Sequence, residues 1–303
     1  MSSIAYATDQ KMIEYHRLCG SRNINFWRLS ARTGFSDFHK GDLLFFYARG
    51  LRGKKKGLVG YAHFDSMHTL NLKQMWNRYG TLNGYDNLQD MQRTIEKASR
   101  DHKVPEKMTG LYLTDVVFFL EPVYPKDIGI TINDKLESFT YLDQDDPSVT
   151  VRILQEAEKI GIDVWSSSQS RERETIFRKD ELRQQMAFIH SEILDPSLTR
   201  SEESKARSLA KRCLEEQKDF ELIRGSHTDL IRIDEKKMII ALPFVSQAKD
   251  HSERLLEFLG RVTYYRLRIS AEKLRIPKTE FRILEEEAHP ELESFLEELN
   301  HEE

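Results

Sequence analysis

The sequence predicts an α+β protein of two domains, a curved β-barrel with helical insertions followed by a smaller α/β domain. Short apolar and aromatic runs bounded by turn residues dominate the chain as far as Trp165. Charged stretches with helical periodicity dominate the rest. The polar cluster SSSQSRERE between them is typical of a domain boundary. We therefore expect domains at 1–165 and 171–284, and an acidic helix or tail at 285–303.

Four runs in the first domain predict strands, namely Asn25–Leu29, Gly41–Ala48, Gly57–Phe64 and Gly110–Leu120. Between the last two runs, Leu88, Met91 and Ile95 recur at helical spacing, so helices interrupt the sheet. Regular alternation of strand and helix is missing. The pattern therefore favours a mixed or curved antiparallel sheet over a doubly wound one.

The second domain is predicted to contain helices packed on a β-hairpin or small sheet. Residues 171–193 and 201–217 have the pattern of charged amphipathic helices. Two strands, 220–233 and 236–245, follow and are joined by a turn at Asp234-Glu235-Lys236. In the helix at 252–274, we expect the face that packs on this hairpin to consist of Leu255, Leu256, Leu259 and Val262.

Composition excludes several classes of protein. The 303 residues are 39% hydrophobic and 32% charged, which excludes disorder throughout. No apolar run approaches the roughly 20 residues that cross a bilayer, and the N-terminus lacks the pattern of a signal peptide, so we expect no membrane contact. Cys19 and Cys213 are too few for a disulfide framework or a cysteine zinc site, which fits a reducing cytoplasm. The motifs of phosphate-loop NTPases, dinucleotide-binding proteins and serine hydrolases are absent.

Charge is distributed unevenly along the chain. The net charge is -4, but residues 285–303 contain nine Glu and no Lys or Arg, so the remainder carries +5. A basic body with an acidic tail is compatible with a polyanionic partner, and a solvated terminal helix is the alternative. Within the body, Arg49 to Lys56 carry five positive charges in eight residues between two predicted strands. This loop either follows a phosphate backbone through Arg49, Arg52, Lys54, Lys55 and Lys56, or is a solvated hairpin tip.

Several short motifs of the first domain resemble a known family. Asn25-Phe26-Trp27, Phe38, GDLLFFY at 41–47 and GLVG at 57–60 resemble the EVE domain of the PUA-like superfamily, and the resemblance extends over about residues 10–165. It implies a pocket that holds a nucleobase lifted from its duplex, often a modified cytosine, in defence proteins that also carry a nuclease. A flipped base requires a stacking surface and polar groups for its edge. The candidates are Trp27, Ser30, Trp76, Tyr79, Asn83 and Asp86.

These candidates also have a structural interpretation. Aromatic residues in a barrel more often pack in the core than form a cage. Asn83 and Asp86 in NGYDN fit a turn followed by a helix N-cap.

The second domain resembles the core of PD-(D/E)XK nucleases, with Asp229 at the position of the strand aspartate. The resemblance implies Mg²⁺ held by this aspartate and by an acid-x-Lys motif on the next strand. That strand instead reads Ile240-Ala241-Leu242-Pro243, and the nearest acid-x-Lys is Glu235 with Lys237 at the turn. We therefore expect a degenerate nuclease core, with Asp229, Glu235 and Lys237 as the catalytic candidates if it is active.

The combined expectation is a DNA-binding component of a restriction or other phage-defence system. Its partners would be double-stranded DNA and other subunits of the system. Two alternatives stay open, a Mg²⁺-dependent restriction endonuclease in its own right and an RNA-binding accessory protein.

Overall fold

A computed structural model describes residues 3–29, 34–49, 55–163, 170–193, 198–247, 250–271 and 278–301. The chain divides into two compact units, Met1–Phe177 and Arg178–Glu303. The domain end predicted at Trp165 falls outside the described residues. Both units combine helices with a mixed sheet, which confirms the α+β class. In the described ranges, no helix is long and apolar enough to span a membrane.

The described residues of the first unit form six strands, four complete helices and the beginning of a fifth helix. The strands are β1 (Ile4–Ala7), β2 (Ile24–Arg28), β3 (Leu43–Arg49), β4 (Lys56–Leu70), β5 (Met108–Val123) and β6 (Phe139–Tyr141). The helices are α1 (Gln10–Leu18), α2 (Leu72–Tyr79), α3 (Leu88–Ala98) and α4 (Val149–Ile160), with short 3-10 helices at Gly80–Asn83 and Pro125–Ile128. The four predicted strands correspond to β2 to β5, and helices do interrupt the sheet between β4 and β5 as predicted.

The strands of this unit form one sheet in the order β2-β5-β4-β3-β1-β6. Strands β1 and β3 are parallel, and the other pairs are antiparallel. As far as the described residues go, no pairing joins β2 to β6, so strand pairing does not close the sheet. The register of β4 against β5 shifts three times. One shift lies at Gly60, where an added Cβ would be 2.4 Å from the carbonyl oxygen of Val117, so this close approach requires glycine.

Both faces of this sheet are covered. Alternate residues of β3 point to opposite sides, so Leu44 and Phe46 join one apolar cluster while Phe45 and Tyr47 join another. Helix α1 packs in the first cluster and α4 in the second. Burial on both faces explains why β3 is a continuous apolar run rather than an alternating one.

In the described part of the second unit there are four strands, β7 (Glu221–Leu222), β8 (Leu230–Ile233), β9 (Lys237–Pro243) and β10 (Lys278–Leu284). Its helices are α6 (Arg200–Glu216), α7 (His251–Ala271) and α8 (Pro290–His301), and α5 (Ser170–Ser191) contributes from Arg178 onward. The sheet order is β10-β9-β8-β7. The predicted hairpin is confirmed as the antiparallel pair β8 and β9. Its first predicted strand, 220–233, is wrong in extent, because a turn divides it into β7 and β8, which pair with each other. Strand β10, which pairs in parallel with β9, was not predicted.

The predicted buried face of α7 is only partly correct. Val262 is buried, together with Phe258, Tyr265 and Ile269, which lie at helical spacing on the same side of α7. Leu256 was expected in this face but is 70% exposed. The prediction was wrong there because the apolar positions of α7 extend around more than one side of the helix, and only one side meets the sheet.

Candidate nucleic-acid interface

The residues predicted to form a base cage are brought together mainly as a packed cluster. Asn83 is fully buried, and its side-chain oxygen accepts a hydrogen bond from the amide of Asn25 at 2.7 Å. Its side-chain nitrogen donates to the carbonyl of Gly80 at 2.8 Å. The indole N–H of Trp27 donates to the backbone carbonyl of Asn83 at 3.1 Å. These polar groups hold the 3-10 helix against β2, so they are already engaged before any base could bind.

Trp27, Trp76 and Tyr79 belong to one apolar cluster that packs α2 and α3. The Tyr79 ring stacks on Tyr112 with centroids 5.6 Å apart, and its hydroxyl lies 3.0 Å from Nδ1 of His68. Burial raises the pKa of Tyr79. Asp86 lies outside this cluster, is exposed and accepts a hydrogen bond from the Tyr15 hydroxyl at 3.1 Å. Ser30 lies outside the described residues.

A basic cleft of about 620 Å³ lies elsewhere in the first unit. Its cationic lining residues are Arg49, Lys55, Lys56 and Lys126. Tyr47 and Tyr124 supply aromatic surface, and Asp127 and Asp134 supply the two carboxylates. The cleft therefore combines four positive charges with two aromatic rings. We call it the basic cleft below.

Strand pairing assembles this cleft from two distant parts of the sequence. Strands β3 and β4 pair to their ends, where Arg49 stands opposite Lys56. Leu58 of β4 pairs with Val123 at the end of β5. The chain then continues through Tyr124 into the 3-10 helix Pro125–Ile128, which carries Lys126 beside the hairpin end. Tyr47, Tyr124 and Lys126 were not predicted as site residues, because the local signal in the sequence is no more than a lysine in a proline turn after a long apolar strand.

Of the five predicted backbone contacts, Arg49, Lys55 and Lys56 line the basic cleft, while Arg52 and Lys54 lie outside the described residues. Some other cations of the first unit are paired, such as Lys40 with Asp65 at 2.6 Å. Judged on the described residues, none of the four cleft cations forms an ion pair. Their charge is therefore available to an anion.

Tyr47 forms a fixed wall of the basic cleft. Its hydroxyl donates a hydrogen bond to Asp134 at 3.2 Å, and the ammonium group of Lys56 lies 5.7 Å from its ring centroid. Burial, with the hydrogen bond to Asp134 and the charge of that carboxylate, raises the pKa of Tyr47 to about 12. The phenol is therefore neutral at physiological pH. Tyr124 is half-buried and leaves part of its side chain exposed.

The catalytic candidates in the second unit are placed differently. Asp229 is fully buried, and its carboxylate accepts hydrogen bonds from Arg261 and from the Tyr265 hydroxyl, the latter at 2.9 Å. Nδ1 of His190 lies 2.8 Å from the same hydroxyl. Burial, followed by the charge of Asp229, raises the pKa of Tyr265 well above its usual value. Asp229 thus neutralises an arginine inside a hydrogen-bonded network.

The structure does not bring Asp229, Glu235 and Lys237 into one site. Asp229 directly precedes β8 and Glu235 lies in the exposed turn after it, so four strand residues, about 13 Å at 3.3 Å each, lie between them. Lys237 pairs with Glu280 at 2.9 Å. Mg²⁺ ligands lie about 2.1 Å from the ion, so these residues do not fit a shared Mg²⁺. In the part of the chain that is described, no group of three or more His, Cys, Asp or Glu could hold a metal ion.

Comparisons with known proteins add little. No family model matches the sequence, and no curated protein matches it. Among solved structures, the fold is similar to ASCH from Zymomonas mobilis, with 16% identity and a TM-score of 0.35 over 49% of this chain and 93% of that chain. Two mutant structures of that protein each give 14% identity and a TM-score of 0.35; one covers 53% of this chain and 99% of that chain, and the other 52% and 94%. At this TM-score the similarity carries no argument about function.

Proposed function

We propose that the first unit binds nucleic acid, with phosphate groups held by the basic cleft. The observation that carries this proposal is the convergence of Arg49, Lys55, Lys56 and Lys126, none of them ion-paired within the described residues, on one cavity that also has aromatic walls. Lysine and arginine side chains neutralise phosphates and release condensed counterions, which supplies most of the affinity of such contacts. The partly exposed ring of Tyr124 adds a surface on which a base can stack.

The volume of the basic cleft limits what can enter it. At about 620 Å³ it is comparable to the pockets of single small ligands, roughly 300–1,000 Å³. A nucleotide lifted from a duplex, or a short single-stranded segment, is of this size, whereas a duplex can only lie across the opening. We therefore propose that the base stacks on Tyr124 in the basic cleft, and not in the cluster of Trp27 and Trp76.

For the favoured partner we retain double-stranded DNA with an extruded base, including a modified one. This choice rests on the resemblance of the first domain to PUA-like EVE domains. The chain would then be the recognition component of a restriction or other phage-defence system. Cleavage would fall to another subunit, because Asp229, Glu235 and Lys237 do not assemble a Mg²⁺ site. No arrangement of the described side chains favours the endonuclease or the RNA-binding alternative.

The test is a binding titration with labelled DNA duplex, single-stranded DNA and RNA of equal length. A Lys55→Glu/Lys56→Glu variant reverses two charges of the basic cleft. The matched control is Lys73→Glu/Lys97→Glu, which makes the same change in net charge at exposed positions on α2 and α3. We expect at least a tenfold loss of DNA affinity in the first variant and less than a threefold change in the control. Equal losses of DNA affinity in both variants would contradict the proposal. Tighter binding of RNA than of DNA would mean that the partner is RNA.

A further inference from the structure

Helix α7 of the second unit exposes two leucines on its side away from the sheet. Leu256 is 70% exposed and Leu267 is 63% exposed. They are eleven residues apart, which is three helical turns, so they lie on the same side of the helix about 16 Å from each other. Phe258, Val262 and Tyr265 on the opposite side are buried in the core of the unit. The two leucines are therefore not needed for packing within the unit.

The surface between these leucines is formed by small residues. Gly260 and Thr263 are exposed and occupy it, and a Cβ added to Gly260 would meet nothing within 4 Å. Glycine in the exposed interior of a helix costs about 1 kcal/mol relative to alanine. No contact among the described residues requires this residue to be small. A glycine here does, however, allow a second helix to approach closely.

We infer that this side of α7 binds the same side of α7 in a second copy of the chain, with the two helices antiparallel. In such a two-fold arrangement, centred between Arg261 and Val262, Leu256 of each copy faces Leu267 of the other. Gly260 then faces Thr263. Both copies contribute the same patch, and each contact occurs twice, once in each direction, as a two-fold interface requires.

The charges along α7 favour the antiparallel arrangement. Arg254 and Arg261 of α7 are largely buried and pair within the unit with Glu202 and Asp229. Of its more exposed charged residues, Glu253 and Glu257 lie before the centre of the exposed stripe, whereas Arg266 and Arg268 follow it. Antiparallel helices bring the acidic half of one copy beside the basic half of the other, and parallel helices would bring like charges together. Within the chain, Glu257 pairs with Arg254 at 2.8 Å and Arg268 with Glu192 at 2.7 Å. The second copy would therefore add charged neighbours to existing ion pairs.

The expected dimer is weak. Specific interfaces typically bury about 1,200–2,000 Å², and a single pair of helices lies at or below the lower end of this range. We therefore expect dimers at micromolar concentrations and above. The interaction does not depend on nucleic-acid binding by the first unit, because α7 belongs entirely to the second.

The mass of the chain in solution tests this inference. Sedimentation velocity at increasing protein concentration should show the average mass rise from 35.6 kDa towards twice that value. Leu256→Glu and Leu267→Glu should each keep the chain monomeric across the same range. Leu18→Glu is the matched control, since Leu18 is 85% exposed on α1 in the first unit and should leave dimerisation unchanged. A wild-type chain that stays monomeric, or dimers that persist in both α7 variants, would overturn the inference.

Cysteine crosslinking distinguishes the two orientations of the helices. In a Cys19→Ser background, which removes the exposed native thiol and keeps the buried Cys213, Leu256→Cys and Leu267→Cys are introduced in separate chains. Mild oxidation of the mixture should give a disulfide-linked dimer, whereas neither chain alone should crosslink. A crosslink between two chains that both carry Leu256→Cys would contradict the antiparallel arrangement.

Discussion

Arg49 and Lys56 stand directly opposite each other at the end of the β3 and β4 pair, so two positive charges face one another across the strands. Like charges in this position are destabilising by a few tenths of a kcal/mol or more. Folding alone gives no reason to place them there. A bound phosphate would relieve the repulsion, which links this pair to the proposed function of the basic cleft.

We predict that Arg49→Gln separates stability from binding. Removal of one of the two facing charges should leave the free energy of unfolding unchanged or raise it by up to about 0.5 kcal/mol. The affinity for DNA should fall several-fold because one phosphate contact is lost. Urea unfolding and a binding titration of the same preparation measure the two effects. A variant that is less stable and binds DNA as tightly as wild type would contradict the prediction.

Asn83→Ala should behave as a core substitution. It removes the hydrogen bonds to Gly80 and from Asn25 and leaves buried polar groups unsatisfied, so we expect a loss of about 2–4 kcal/mol in the free energy of unfolding. Asp86→Ala is the comparison within the same segment, and at this exposed position the change should stay within about 0.5 kcal/mol. Neither variant should change the DNA affinity of the folded protein. Normal stability of Asn83→Ala with lost base discrimination would restore the predicted cage.

Asp229→Asn should destabilise the second unit. The substitution keeps the shape of the side chain and removes the negative charge that faces Arg261, and loss of one partner of a buried ion pair costs about 3–5 kcal/mol. Asp234→Asn is the control, because its carboxylate pairs with Arg232 in an exposed turn, where we expect a change below about 1 kcal/mol. Urea unfolding followed by circular dichroism measures both. A change below about 1 kcal/mol in both variants would contradict the prediction and show that the buried network around Asp229 contributes little to stability.

The stability of the first unit should decrease in mild acid because of His16. This residue is fully buried, and burial lowers its pKa from 6.5 to about 4. Between these values the unfolded chain binds a proton that the folded chain does not, so the free energy of unfolding falls as the pH falls from 6.5 to 4. The full effect is on the order of 3 kcal/mol. The test is to measure the free energy of unfolding of wild type and His16→Gln at several pH values. We expect it to depend less on pH in the variant. The same pH dependence in both proteins would contradict the prediction.

The sequence predicted those strands and helices whose own residues carry a clear pattern. The aromatic and β-branched runs of β3, β4 and β5 are bounded by glycine or proline, and α6 has the apolar spacing of an amphipathic helix. Helix α5 forms as predicted, but its apolar residues are spread around the helix rather than gathered on one face. Strand β1 was missed because four residues carry too little signal, and its place beside β3 depends on a pairing 40 residues away. Strand β10 has alternating charges in KTEFRIL, and its parallel pairing with β9 requires a long connection through α7.

The basic cleft also depends on contacts between distant parts of the sequence, which local patterns do not predict. The lysines of the hairpin were recognised from composition, but Tyr124 and Lys126 join them only through the pairing of Leu58 with Val123. That register includes three shifts and cannot be read from either strand alone. The aromatic candidates at Trp27, Trp76 and Tyr79 had the opposite problem. The spacing of Trp76 and Tyr79 with Leu72 and Met75 is that of a helix face packed on a sheet, and Trp27 of β2 belongs to the same packed cluster.

The salt dependence of DNA binding tests the central claim most directly. The dissociation constant of wild type, Lys56→Ala, Lys126→Ala and the control Lys97→Ala should be measured from about 50 to 200 mM salt, a range over which phosphate contacts weaken strongly. Removal of each cleft lysine should reduce the slope of log K against log salt by about 0.9, since one counterion fewer is released. The control should keep the wild-type slope. A wild-type affinity that does not depend on salt, or equal slopes in all four proteins, would contradict a phosphate-binding cleft.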